Sequence, residues 1–128
     1  SIDVRSGLFG GVSVYRDSGR KKTRFSPVQL AKKVEQLGAG EVMLTSIDRD
    51  GTFGGFDLKL VQSVSQAIQI PVVACGGAGS IEDLRLAIEH GASAVAAGSY
   101  FVYQRPHRAV LISYPHQEEL RKEIFSRL

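Results

Sequence analysis

The chain has 128 residues, 43% of them hydrophobic and 23% charged, which is the composition of one folded domain with a core and not of a disordered tail. No apolar run approaches the roughly 20 residues of a membrane span, and the first residues lack the charged-then-apolar build of a signal peptide, so the expectation is a cytoplasmic protein with no membrane contact. A single cysteine, Cys75, excludes an internal disulfide framework, and no Cys/His spacing resembles a zinc site, so neither a metal nor a cofactor is called for. The net charge of +3 suits anionic substrates, but the lysines and arginines are scattered without an aromatic-rich pattern, which argues against nucleic-acid binding.

In chain order, strand alternates with helix. "SIDV" reads as the end of a strand, and "GGVSVYRDSGRKKTRF" as an irregular excursion with an Asp-Ser-Gly turn. Ser26 as cap, Pro27 in the first turn and Gln29 completing a capping box predict a helix whose apolar stripe is Leu30, Val34 and Leu37, stopped by Gly38. "EVMLTS" predicts a short buried strand. Asp57 caps a helix carrying Val61, Val64 and Ile68, and Pro71 introduces the strand "VVAC". Ser80 and Asp83 cap a helix carrying Ile81, Leu84 and Ile88, with Gly91 at its end and the strand "AVAAG" beyond. A last helix, "HQEELRKEIFSRL", places Leu120, Ile124 and Leu128 at helical spacing. Continuous apolar strands between amphipathic helices argue for a parallel sheet covered by helices.

An internal repeat favours a fold of equivalent units. "GAGEVMLTS" at Gly38 and "GASAVAAGS" at Gly91 share Gly-Ala at the start, Val at the fifth place and Ser at the ninth. Four strands with four following helices are half of a closed eight-unit barrel, which takes roughly 250 residues. An open doubly wound sheet is the alternative.

The polar residues at the strand ends carry the chemistry. "TSIDRDGTFGG", from Thr45 to Gly55, follows an apolar strand with two aspartates, Asp48 and Asp50. A phosphoryl-transferring hydrolase would use one as nucleophile and the other as general acid, whereas a barrel enzyme would use carboxylates at a strand mouth as proton shuttles. The hydrolase also wants a downstream lysine and an acidic pair near a later strand. Lys122, in the last helix, is the only lysine after Lys59, and the later strand ends carry glycine and serine. "GGAGS" after "VVAC" and "GSYF" after "AVAA" offer bare backbone amides and the Ser99 hydroxyl, which can cradle a phosphate; equally, Gly76, Gly77 and Gly79 can simply permit a tight turn.

The segments "SIDV", "LGAGEVMLTSIDRDGT", "GGFDL", "IPVVACGGAGS" and "HGASAVAAGS" closely resemble the C-terminal half of the cyclase subunit of imidazole glycerol phosphate synthase, from Ser1 to about Phe101. The resemblance implies the C-terminal half of a (β/α)8 TIM barrel, with four parallel strands and their helices. Residues 1–128 would then be a single half-barrel domain whose N-terminal half is absent. It implies a lyase of histidine biosynthesis that takes ammonia from a glutaminase subunit. Acting on a phosphorylated ribonucleotide, this enzyme closes the ring of imidazole glycerol phosphate and releases an aminoimidazole carboxamide ribonucleotide. By position, Asp50 matches the family's acid/base aspartate and Asp3 a second catalytic or orienting carboxylate at the end of its strand. Gly51, Gly76, Gly77, Gly98 and Ser99 match the loops that hold one substrate phosphate, and Thr45 points toward the substrate. Asp48 either orients the loop or acts directly. Cys75 stands where the family usually has serine, and is expected to pack beneath the glycine loop.

Two departures from the family pattern qualify this. Without the N-terminal half, its catalytic aspartate and its phosphate site, the chain alone is expected to be inactive. The tail "YFVYQRPHRAVLISYPHQEEL" resembles instead cyclase-like proteins encoded with surface-polysaccharide genes, which implies an alternative role supplying ammonia to a sugar amidotransferase. In that tail His107 and Arg108 are either an anion or partner contact or solvated surface. A further alternative is a non-catalytic half-barrel assembly module. Four parallel strands alone would leave the first and last unpaired, so the isolated half is expected to form a homodimer, with the edge of "SIDV" on that of "AVAAG".

Overall fold

A computed structural model describes residues 1–7, 10–104 and 106–126 of the chain. Its centre is a six-stranded sheet. In chain order the elements are β1 (Ile2–Ser6), β2 (Val12–Arg16), β3 (Lys21–Lys22), α1 (Pro27–Gln36), β4 (Val42–Ser46), α2 (Leu58–Ser65), β5 (Val72–Cys75), α3 (Ile81–Glu89) and β6 (Ala94–Ala96). The order across the sheet is β3-β2-β1-β4-β5-β6. β1, β4, β5 and β6 are parallel neighbours, as the alternation of apolar strands and amphipathic helices predicts. After β6 come α4 (Ser99–Val102), a small hairpin of β7 (Tyr103–Gln104) and β8 (Ala109–Val110), and α5 (Gln117–Leu120), which runs on as a wider π-helical turn from Arg121 to Phe125.

Local chemistry sets the helix starts. The Ser26 side chain accepts from the Gln29 amide while the Gln29 side chain accepts from the Ser26 amide, a complete capping box ahead of Pro27. Asp57 caps α2 by accepting from the Leu60 amide, and Ser80 caps α3 by accepting from that of Asp83. The Asp83 carboxylate in turn accepts from the Gly79 amide and so fastens the preceding loop to the helix. The predicted stripe of α1 is corrected at one place: Leu37 is 77% exposed, because it falls at the cap past the last turn, and Ala31 is buried instead. Ile124 of the last helix is buried, while Leu128 lies outside the described residues.

The segment expected to be irregular is a β-hairpin. Asp17 and Ser18 take left-handed backbone angles, φ 55° and 56°, in the turn that folds β3 back on β2, and β2 itself runs antiparallel to β1, with Tyr15 opposite Asp3 and Val14 opposite Val4. This corrects the expectation of two open sheet edges. The outer edge of β1 is occupied by β2, so the pairing of "SIDV" with a second copy is blocked there, and β6 is the parallel strand left at an edge.

Burial alternates along the strands. On one face Ile2, Val4, Val42, Leu44, Val72 and Ala74 are all at most 3% exposed and pack in one core with Ala31, Val61, Val64, Leu84 and Ala87 of the helices. Each large side chain so buried contributes roughly 1.5–3 kcal/mol. The alternate residues, on the other face, are only partly covered, and Met43 is 40% exposed. Helices packed on a single face exclude the doubly wound alternative, which places them on both.

Candidate active site

Because the four parallel strands share a direction, the loops leaving their C-terminal ends lie along one edge of the sheet. Asp3 of β1 is level with Thr45 of β4, Thr45 with Cys75 of β5, and Cys75 with Ala96 of β6. Residues in one such row point to one face, here the face without helices. The Ser1 hydroxyl donates to Asp3 at 2.9 Å.

The titration of Cys75 reports how closely this row gathers. Burial raises the thiol above its ordinary value, and a hydrogen bond with the Thr45 side chain offsets part of that. The Asp50 carboxylate raises it further, the Gly76 amide lowers it, and Asp3 adds the smallest push upward. Asp3, Thr45, Asp50 and Gly76 therefore all lie within electrostatic reach of one sulfur, beneath the glycine loop as expected for Cys75. The thiol stays protonated at neutral pH and is no nucleophile.

The loop after β4 is a tight turn in which the amides of Arg49 and Asp50 both donate to the Ser46 carbonyl. The two aspartates part company here. Asp48 accepts from the Ser6 amide at 2.8 Å and lies 3.3 Å from Arg5 Nε, so both its oxygens tie the loop to β1. Asp50 is exposed, and its carboxylate makes no hydrogen bond or ion pair among the described residues. One carboxylate orients the loop and the other is available for chemistry.

Three loops lock together beside it. A Cβ on Gly77 would stand 2.2 Å from the Gly55 carbonyl oxygen and one on Gly79 would stand 2.3 Å from that of Phe53, so at these two positions the backbones approach too closely for any side chain. The Gly55 amide donates to the Gly77 carbonyl at 2.8 Å, and Arg49 Nη1 donates to the Gly55 carbonyl at 3.1 Å. Gly51 faces the third loop: a Cβ on it would lie 3.5 Å from Ser99 Oγ, which follows Gly98 at the start of α4. The amides of Gly77 and Ser99 donate to no described group. Gly51, Gly76, Gly77, Gly98 and Ser99 are thus brought to one edge, and packing alone already accounts for Gly77, Gly79 and also Gly76, where a Cβ would stand 2.5 Å from the Ser46 carbonyl oxygen.

Sequence reasoning missed Arg5, Arg49 and Tyr15. Arg5 had a signal, since it stands two residues past Asp3 and so on the same face, where its guanidinium lies 5.4 Å from the centre of the Tyr15 ring. Arg108 is more than solvated surface: its Nη2 donates to the Gly51 carbonyl at 3.2 Å, while His107 is exposed. Among the described residues no three His, Cys, Asp or Glu side chains gather as metal ligands would, and no helix is long and apolar enough to cross a membrane.

Comparison with known proteins places this edge in context. The chain is 50% identical over 121 residues to a Pseudomonas aeruginosa protein provisionally named imidazole glycerol phosphate synthase subunit hisF2, a match covering 94% of this chain and 48% of that one. It is 50% identical to the imidazole glycerol phosphate synthase subunit HisF of Alkaliphilus metalliredigens, over 80% of this chain and 41% of that one. The HisF subunit of Hyphomonas neptunium matches at 51% identity, over 79% and 40%. The chain spans about half the length of the curated relatives it matches. Among solved structures, a FabK mutant from Thermotoga maritima superposes with a TM-score of 0.49 at 32% identity, over 61% of this chain and 27% of that one. The model of the family described as "Histidine biosynthesis protein" matches residues 1–107, and the parallel α/β layout built from β1, β4, β5 and β6 is that of the family's TIM barrels. The chain therefore belongs to the histidine biosynthesis protein family.

Proposed function

We propose that this chain is the C-terminal half of a cyclase subunit of imidazole glycerol phosphate synthase, holding one substrate phosphate on its glycine loops and moving protons with Asp50. The observation that carries the reading is the row of Asp3, Thr45 and Cys75, level across three parallel strands, with Asp50 in the turn just beyond β4 and interlocked glycine loops on the same edge of the sheet. The synthase names of the relatives support it over the sugar-amidotransferase and assembly-module alternatives.

In this reading the substrate is a phosphorylated ribonucleotide and the nitrogen arrives as ammonia from a glutaminase partner. Ammonia addition and ring closure each need a proton given or taken at the reacting atoms, which a free, exposed carboxylate supplies. Asp50 takes that role and Asp3, level with Thr45 one strand away, orients the substrate or shares the proton. The amides of Gly77 and Ser99 and the Ser99 hydroxyl hold the phosphate. A second phosphate and a second acid/base group would come from the other half of the barrel, so the chain alone is inactive, and in isolation it pairs with a second copy.

The test supplies the missing half and a glutaminase and follows conversion of the histidine-pathway ribonucleotide. Asp50→Asn should lower turnover about 100-fold to 10,000-fold, the usual scale of general acid/base catalysis. Asp48→Asn should cost less. Equal or reversed effects would show that the roles of the pair are wrongly assigned.

A further inference from the structure

We infer that Arg108 is a positioning residue that holds the Asp50–Gly51 loop in place from the tail hairpin. The inference rests on the reading of that loop as the proton-transfer and phosphate loop. The tail that carries Arg108 is a built structure. Tyr103 pairs with Val110 and Gln104 with Ala109, the Leu111 amide donates to the Val102 carbonyl at 2.9 Å, and the Ser113 amide to that of Phe101 at 2.8 Å. The Phe101 and Tyr114 rings stack with centroids 4.7 Å apart. The chain after β6 is thereby folded back on α4, and the connection between β7 and β8 carries Arg108 toward the loop after β4.

Two contacts define what Arg108 does there. Nη2 donates to the Gly51 carbonyl at 3.2 Å, and the guanidinium carbon lies 5.8 Å from the centre of the Phe53 ring, within the range of a cation–π contact. Together they bracket Thr52. The Thr52 hydroxyl meanwhile donates to the Arg49 carbonyl at 2.7 Å and accepts from the Gly54 amide at 3.2 Å. The turn is therefore held from within by Thr52 and from the tail by Arg108. The same turn is what sets Gly51 against Ser99 and Asp50 toward Cys75. A planar guanidinium can donate in its plane to a carbonyl while its face lies over a ring, a pre-organised arrangement that a lysine ammonium, one strongly hydrated charge on a flexible stem, does not reproduce. Arg108 touches neither carboxylate nor cysteine, so it acts through the backbone it grips.

A pocket of about 250 Å³ separates part of the hairpin from the loops, lined by Phe53 and Gly79 on one side and by Tyr103, Gln104 and Leu111 on the other.

The experiment uses this 128-residue chain, with amide hydrogen exchange and a titration with inorganic phosphate both read by NMR. Arg108→Ala should speed exchange at Thr52 and Gly54, whose amides donate to the Arg49 carbonyl and the Thr52 hydroxyl, and weaken phosphate about threefold to tenfold, the scale of one exposed charged hydrogen bond with a stacked guanidinium. Arg108→Lys should fail to restore either. Phe53→Leu, which keeps the arginine and removes its ring, should shift both in the same direction by less. The amides of Met43 and Leu44 in β4 should exchange as in the parent. Unchanged exchange and affinity in Arg108→Ala, in a parent that binds phosphate, would overturn the role of Arg108 and leave the phosphate reading standing. A parent in which the Gly77 and Ser99 amides ignore phosphate would overturn that reading, and exchange at Thr52 and Gly54 would then decide the loop contact alone. Loss of protection in β4 in both Arg108→Ala and Phe53→Leu would make the contact a general prop of the fold and refute the inference.

Discussion

The two faces of the sheet divide the work of the molecule. Leu44 and Met43 are neighbours on one strand, yet the first is 2% exposed among helix side chains and the second 40% exposed on the other face. The helix face is aliphatic apart from Ser46 at the end of β4, in layers where a missing methyl is felt. The other face carries Asp3, Thr45 and Cys75 in one row, near Asp50. A strand with period two can serve both ends at once, stability with even positions and chemistry with odd ones or the reverse, provided the register never slips. A one-residue shift of β1 would bury Asp3 in the helix core and expose Val4.

Substitution on one strand breaks or sharpens this division most strongly. Leu44→Ala should destabilise the chain by about 2–5 kcal/mol in a urea titration, the range for a fully buried leucine. Met43→Ala should cost about 1 kcal/mol or less, as a side chain with much of its surface in water. A cost at Met43 close to that at Leu44 would mean that the open face is covered in solution and that the two faces are not divided as described. Next in size, Gly77→Ala forces a Cβ against the Gly55 carbonyl from a left-handed backbone, φ 112°, and should cost about 2–3 kcal/mol. A neutral result there would show that the interlocked loops are not rigid. The smallest effect is electrostatic. The Cys75 thiol should react with iodoacetamide only as pH rises past the ordinary thiol range, because its folded value is raised. In Asp50→Asn the onset of alkylation should move to lower pH, since a nearby negative charge that opposes the thiolate is gone. No movement would place Asp50 away from the row.

Features governed by neighbours in the chain were legible from the sequence. The caps at Ser26, Asp57 and Ser80 each depend on a residue three positions on, and all three make the expected bonds. The glycine loops and Asp50 were legible by resemblance, and their strand-end positions follow from the alternation of elements. The hairpin of β2 and β3 was misread although Val12, Val14 and Arg16 alternate with Ser13 and Tyr15. Its turn uses Asp17 and Ser18 in left-handed angles where Asn-Gly is the familiar signal. That Asp48 orients the loop was one of two readings the sequence left open, because the contacts that decide it, with Ser6 and Arg5, lie some 42 residues away from Asp48. The grip of Arg108 on Gly51 crosses 57 positions and lay equally out of reach.

The capped edge of β1 has a consequence for assembly. β3, at the outer margin of the hairpin, is two residues long and both are lysines, a short and charged border that resists further pairing, whereas β6 at the opposite border is apolar. In the proposed pairing of two copies, β6 would then be the one border open to a partner. A second copy that joins through β6 presents its own lysine border to the outside, and strand addition terminates at two. Two open borders would have made the same unit a monomer of a filament, growing for as long as chains were supplied. In that pairing the hairpin that reads as an excursion in the sequence would act as a chain terminator for polymerisation.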